Sequence, residues 1–351
     1  MAKKRTPIQE IRNFILNNVK ERPTGISRLT AEKFNISRQT ANKHVMSLVT
    51  EGELEASGNT KARTYRVTKL VTHVDQIAVT PRLEEHVTWR ETIAPYLINV
   101  QDNVLDICQY GFTEMVNNVV SHSKARHMNV VVERDPVLIT LRVSDDGVGV
   151  FTKIQQVFGY DDPRQALLEL AKGKITSDPD RHTGEGIFFT SKMFDTFSIW
   201  SGRLFYGRTK KDPDWLIEVE DRKNFNGTLI SMEIHPNSTR ISKEIFDEYA
   251  SGEDREFSRT HVPILLAKYG KEQLLSRSQA RRVLARFERF KEVMLDFQGV
   301  GMIGQAFADE IFRVFRREHP EIAIEVLNIS NEIDQMIRHV SGDANGSLRL
   351  F

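Results

Sequence analysis

The chain has a single cysteine, Cys108, among 351 residues, which excludes an intramolecular disulfide and any cysteine-rich zinc site. It has no run of 18 apolar residues, so no membrane-spanning helix is expected. The N-terminal stretch MAKKRTPIQEIRNFI is basic but lacks the apolar core of a signal peptide, and the expected location is the cytoplasm. The phosphate-loop pattern G-x4-G-K-[ST] is missing. No internal repeat or low-complexity linker is visible. An overall charge excess is missing too, with 49 Lys/Arg against 48 Asp/Glu.

What is present is unevenly placed. Residues 1–70 hold 14 Lys/Arg and 6 Asp/Glu, a net +8, which leaves 35 against 42, a net −7, for the rest. A basic head on an acidic body points to a nucleic-acid partner for the head. With 40% hydrophobic and 28% charged residues the chain reads as globular, and its length suggests two or three domains at roughly 100–200 residues each.

In the head, Ile8, Ile11, Ile15 and Val19 recur at helical spacing as far as Arg22-Pro23-Thr24-Gly25. Ser27 is expected to cap a second helix. After the turn Asn35-Ile36, Ser37 opens a third helix over 38–51, with Ala41, Val45, Leu48 and Val49 as its apolar stripe and Gly52 as its stop. Two strands around a polar loop follow, near 54–57 and 65–67. This order and the stretch ISRQTANKHVMSLVTEGELEASG resemble the winged helix-turn-helix domain of bacterial transcription regulators. The resemblance implies that Arg38, Gln39, Thr40, Asn42, Lys43 and His44 face base edges, and that Lys61 and Arg63 of the wing meet phosphates.

In the second segment, YGFTEMVNNVVSHS places Glu114, Asn118 and His122 four residues apart, along one face of a helix. Met115, Val116, Val119 and Val120 form the opposite, core-facing side. Strands are expected over 128–133 and 137–144, and the second runs into Asp145-Asp146-Gly147-Val148-Gly149. A polar stretch with a helix near 165–171 leads to Thr183-Gly184-Glu185-Gly186, then to a helix over 188–194. Further strands are expected over 197–201, 215–219 and 228–234.

E-x3-N on a helix, D-x-G-x-G after a strand and a second G-x-G at a helix start resemble the GHKL (Bergerat) ATP-binding fold, in particular the anti-sigma-factor kinases. The resemblance spans roughly residues 85–236. It implies that Asn118 ligates Mg²⁺ and that Glu114 orients or deprotonates the attacking water or hydroxyl. Asp145 would accept a hydrogen bond from the adenine amino group, with Thr228 near the same base. Gly147 and Gly149 would allow a tight turn against the nucleotide, and Gly184 and Gly186 would let backbone N–H groups approach its phosphates. His122 is expected to order the helix end. Between Gly149 and Gly184 a long polar lid is expected to become ordered around the γ-phosphate.

The third segment alternates helix and strand: helices over 277–290, 305–318 and 332–339, and strands over 293–297 and 322–326. It implies a small parallel α/β sheet. Through LDFQGVGMIGQAFADEIFRVF it resembles STAS-like domains. In the related anti-sigma antagonists a hydroxyl at the helix start takes phosphate. Gly304-Gln305-Ala306-Phe307 has none, so no phosphoacceptor is expected here.

The expected fold is multidomain: an α+β winged helix (1–70), a linker (71–84), a GHKL α/β sandwich (85–240), a second linker (241–261) and a small α/β STAS-like domain (262–345). The expected function is a Mg·ATP-binding, slowly hydrolysing DNA-binding regulator. A serine/threonine protein kinase of anti-sigma type, with the winged helix as a docking module, is the alternative. DNA is the expected partner of residues 1–70. A protein partner for the STAS-like domain and a homodimer are left open.

Overall fold

The computed structural model describes residues 8–59, 63–176, 183–209, 214–218, 225–251, 256–268 and 272–342. The head consists of α1 (Ile8–Asn18), α2 (Ile26–Phe34), α3 (Arg38–Thr50) and an antiparallel pair, β1 (Leu54–Ser57) and β2 (Thr64–Val67). Ser37 caps α3, its Oγ accepting the Thr40 N–H at 3.0 Å, and Gly52 leaves the helix at φ +76°. Ala41, Val45 and Leu48 are fully buried, and each large one of these contributes about 1.5–3 kcal/mol. Ser27 is not a cap: α2 starts one residue earlier, and the Ser27 hydroxyl donates to Asn42 Oδ1 at 3.3 Å.

A seven-stranded sheet in the order β3-β4-β5-β9-β6-β7-β8 forms the centre. Its first strand, β3 (Val71–Ala78), lies where a linker was expected; it pairs antiparallel with β4 over eight residues. Then come α4 (Glu85–Thr92), α5 (Asp102–Asn118), a π turn (Val119–Ser123), β4 (His127–Arg134) and β5 (Ile139–Asp145). The stretch between Gly149 and Gly184 carries the helix expected near 165–171 and a second one that was not expected. The two are α6 (Val150–Phe158) and α7 (Pro163–Lys172), with Phe151, Ile154, Ala166, Leu167, Leu168 and Leu170 buried. Asp162 caps α7, accepting the Arg164 N–H at 2.8 Å, and Pro163 occupies the first turn. The unit closes with α8 (Gly186–Met193), β6 (Thr196–Gly202), β7 (Leu204–Thr209), β8 (Trp215–Glu218) and β9 (Phe225–Ile234).

The second expected linker is likewise structured, as α9 (Ser242–Tyr249) and the short pair β10 (Ala250–Ser251) and β11 (Glu256–Phe257). The last unit begins at β12 (Arg259–Pro263), three residues earlier than expected. It adds α10 (Arg277–Leu284), β13 (Glu292–Asp296), α11 (Gln305–Asp309), a π stretch (Glu310–Phe315), α12 (Arg316–Glu318), β14 (Ala323–Leu327) and α13 (Asn331–Ser341). Strands β12, β13 and β14 form a parallel sheet in that order, as the alternating pattern predicts. Its apolar side chains and those of the seven-stranded unit form one continuous core, whereas the head has a separate small one. No helix among the described residues is long and apolar enough to cross a membrane.

Candidate functional site

A cavity of about 300 Å³ lies between α5, the end of β5, α6, α7, the start of α8 and β9. Glu114, Asn118, Asp145, Gly149, Gly184, Gly186 and Thr228 all line it, and so does His122. Gly147 stands just behind the wall, its N–H donating to Asp145 Oδ1 at 2.8 Å. Residues spread over 115 positions of sequence thus meet at one place.

The glycines are required by close approach. A Cβ at Gly147 would strike the Ser123 carbonyl, and one at Gly227 would strike the Asp145 carbonyl. The backbone around Asp145 is therefore clamped from both sides. Gly149 has φ +81°, and its amide neighbour Val150 donates to Thr228 Oγ1 at 3.0 Å. Ser201 Oγ closes the frame by donating to the Gly227 carbonyl at 2.9 Å. Asp145 is nearly buried, and that burial pushes its pKa up, while the Gly147 and Thr228 amides pull it down. The Asp145 carboxylate is thus held in place by two backbone amides at the edge of the cavity.

Across the cavity, Gly186 packs directly on the Glu114 carboxylate: a Cβ there would collide with Oε2. Burial raises the Glu114 pKa, and the carboxylates of Glu185 and Glu85 raise it further. A carboxyl whose proton affinity is raised in this way is a better proton acceptor than an exposed one. One turn on, Asn118 Nδ2 is buried without a hydrogen-bond partner, so its amide is incompletely satisfied. Among the described residues no three His, Cys, Asp or Glu side chains gather as a metal set. The unmet N–H donor of Asn118 suits an oxygen acceptor in the cavity, such as a phosphate oxygen.

Sequence reasoning missed part of the wall. Lys153, Ile154, Val157 and Phe158 come from α6, and Leu170 and Ile175 from α7 and its exit. The apolar spacing of Val150, Ile154, Val157 and Phe158 was the available signal.

In the head, Arg38, Gln39, Thr40, Asn42 and Lys43 are exposed and His44 is half-buried, all on the side of α3 away from its buried stripe. Two are already engaged: Thr40 Oγ1 lies 2.9 Å from Ser37 Oγ, and Asn42 Oδ1 accepts from Ser27. The Arg63 guanidinium sits 5.7 Å from the centre of the Tyr65 ring. Lys61 lies outside the described residues.

In the last unit, Asp296 at the end of β13 hydrogen-bonds His261 Nε2 on β12 at 2.9 Å, and Lys192 of α8 lies 3.4 Å from His261 Nδ1. Burial lowers the Lys192 pKa to about 7. Gly304 caps α11, and Phe307 and Ala308 behind it are buried. No curated protein matches the chain. Residues 279–334 match the family described as a STAS-like domain of unknown function (DUF4325). This multidomain α/β chain therefore carries a STAS-like domain towards its C-terminus.

Proposed function

We propose that the chain is a Mg·ATP-binding regulator of GHKL type, with DNA held by the winged helix of its head and slow hydrolysis of the nucleotide. The observation that carries this reading is the Asp145 carboxylate, fixed between glycines and facing the same cavity as Glu114 and Asn118. The Asp145 carboxylate accepts the adenine amino group, with Thr228 alongside. The α8 N-terminus, opened by Gly184 and Gly186, offers N–H groups to phosphate. Asn118 Oδ1 holds magnesium, which neutralises phosphate charge when bound. Glu114, its proton affinity raised by burial, positions and deprotonates the attacking water.

Asp145→Asn presents an amide where the carboxylate accepted, and calorimetry is expected to show ATP binding weaker by about 1.5–3 kcal/mol. Unchanged affinity would refute the site assignment. Glu114→Ala should keep ATP and lose turnover by roughly 10²–10⁴-fold. The kinase alternative predicts radiolabelled γ-phosphate on protein rather than free in solution. The missing hydroxyl at 304–307 argues against the STAS-like domain as an internal acceptor.

A further inference from the structure

The STAS-like domain touches the wall of the cavity through Arg286. Arg286, just after α10, has φ +66°, a backbone conformation that a non-glycine residue rarely adopts. Its side chain turns out of its own domain, and one guanidinium nitrogen donates to the carbonyl of Lys174, itself left-handed at φ +54°. The guanidinium carbon lies 5.4 Å from the centre of the Phe158 ring, and Phe158 lines the cavity. Phe158 in turn stacks on Tyr160 at 5.8 Å. Such backbone strain persists only where surrounding contacts over-determine it, and it gathers at functional positions.

The same guanidinium faces Glu169 of α7 with a residual demand. Arg286 Nη1 and Glu169 Oε2 are 3.6 Å apart, and both atoms are buried without a hydrogen bond. Glu169 Oε1 is taken by Lys172 at 2.7 Å, and Lys172 also donates to the Ala285 carbonyl at 2.8 Å. A closer approach of α7 by about half an ångström would complete a charge-assisted bond. Leu170, on the same helix, lines the cavity.

We propose that Arg286 of the STAS-like domain is a positioning residue for the cavity, clamping Phe158 and α7 around whatever occupies it. The contact stands on geometry alone; the ligand, Mg·ATP, rests on the nucleotide reading given above. In this arrangement the STAS-like domain sets ligand affinity without touching the ligand.

The test uses the full chain with Arg286→Gly, which suits the left-handed backbone, Arg286→Lys, which keeps a cation over Phe158, and Phe158→Leu. Arg286→Gly is expected to bind Mg·ATP about tenfold more weakly, the scale of a desolvated cation–π contact. Amides 164–172 should exchange faster in that variant. Arg286→Lys should recover affinity to within about threefold, and Arg286→Gly should cost nothing further on a Phe158→Leu background. Parental affinity in Arg286→Gly, or effects that add with Phe158→Leu, would overturn the proposal. If the parent chain itself fails to bind Mg·ATP, the nucleotide reading falls, and hydrogen exchange decides the clamp alone: unchanged exchange at 164–172 overturns it.

Discussion

The head and the STAS-like domain attach to the central unit in opposite ways. The head buries Ile11, Ile15, Leu16, Val19, Ile26, Val45, Leu48, Leu54 and Tyr65 among themselves, and among the described residues the central unit adds only Val137, in the β4–β5 turn, to this apolar cluster. The core of the STAS-like domain runs on into that of the central unit: Phe290 packs on Phe257 of β11, which packs on Phe188 and Phe189 of α8. Polar contacts reinforce that joint, with Thr260 Oγ1 donating to the Lys172 carbonyl at 2.6 Å and Lys172 only 1% exposed. A small separate core suits a module that must meet a partner with its whole surface. A shared core suits a domain that acts on its neighbour.

Truncation should separate the two cases most sharply. Removing residues 1–67 should leave a cooperative melt, because little apolar surface is uncovered. Ending the chain at residue 258 would expose the phenylalanine cluster and uncover the buried Glu169–Lys172 pair, which loses Arg286 and the Ala285 carbonyl as neighbours. That product is expected to aggregate in size-exclusion chromatography. A folded, monodisperse product would show that the joint is dispensable.

A smaller effect comes from Lys192, which faces His261 and Asp296 across the same joint, with Arg208, Asp214 and Glu248 around it. Its folded pKa is about 7 against an ordinary 10.5, so between those values the unfolded chain binds more protons. Stability therefore rises with pH in that window, by about 2 kcal/mol from pH 7 to 9. The window stops near 9 because burial holds the Cys108 thiol protonated while an unfolded thiol ionises. Lys192→Met should flatten the rise in thermal melts. An unaltered slope would mean that Lys192 keeps its proton in the folded joint.

The smallest effect lies in the head. Ser37→Ala removes the α3 cap and should cost about 1 kcal/mol of head stability, read as faster amide exchange in 38–41, with the rest of the chain unmoved.

The sequence disclosed what is local. The α3 stripe and its Ser37 cap, the E-x3-N face of α5, and the parallel sheet of the last unit follow from periodicity and capping. The site glycines were legible as a pattern, but the reason for them was not: Ser123, Asp145 and Glu114, which forbid a Cβ at Gly147, Gly227 and Gly186, lie 24, 82 and 72 positions away. Strand β3 was hidden because, as an edge strand with every second residue exposed, it lacks a strong apolar run. Strand β12 was hidden by Arg259, whose charge is met by Glu292 and Glu325 on the neighbouring strands. The clamp at Arg286 joins residues more than 100 positions apart, beyond the reach of local pattern.

The proposed function implies that the nucleotide state of the central unit would be read out by the head. Strand β5 links the two directly: Asp145 ends it at the cavity, and the turn before it carries Val137 against the head core. The most direct measurement is fluorescence anisotropy of a DNA duplex selected on the full chain, titrated with and without saturating Mg·ATP, for the parent and Asp145→Asn. The account predicts a change in DNA affinity of about 5–150-fold in the parent, the usual range of coupling between sites, and its loss in Asp145→Asn. A parent that binds Mg·ATP and holds DNA equally well with and without it would contradict the account.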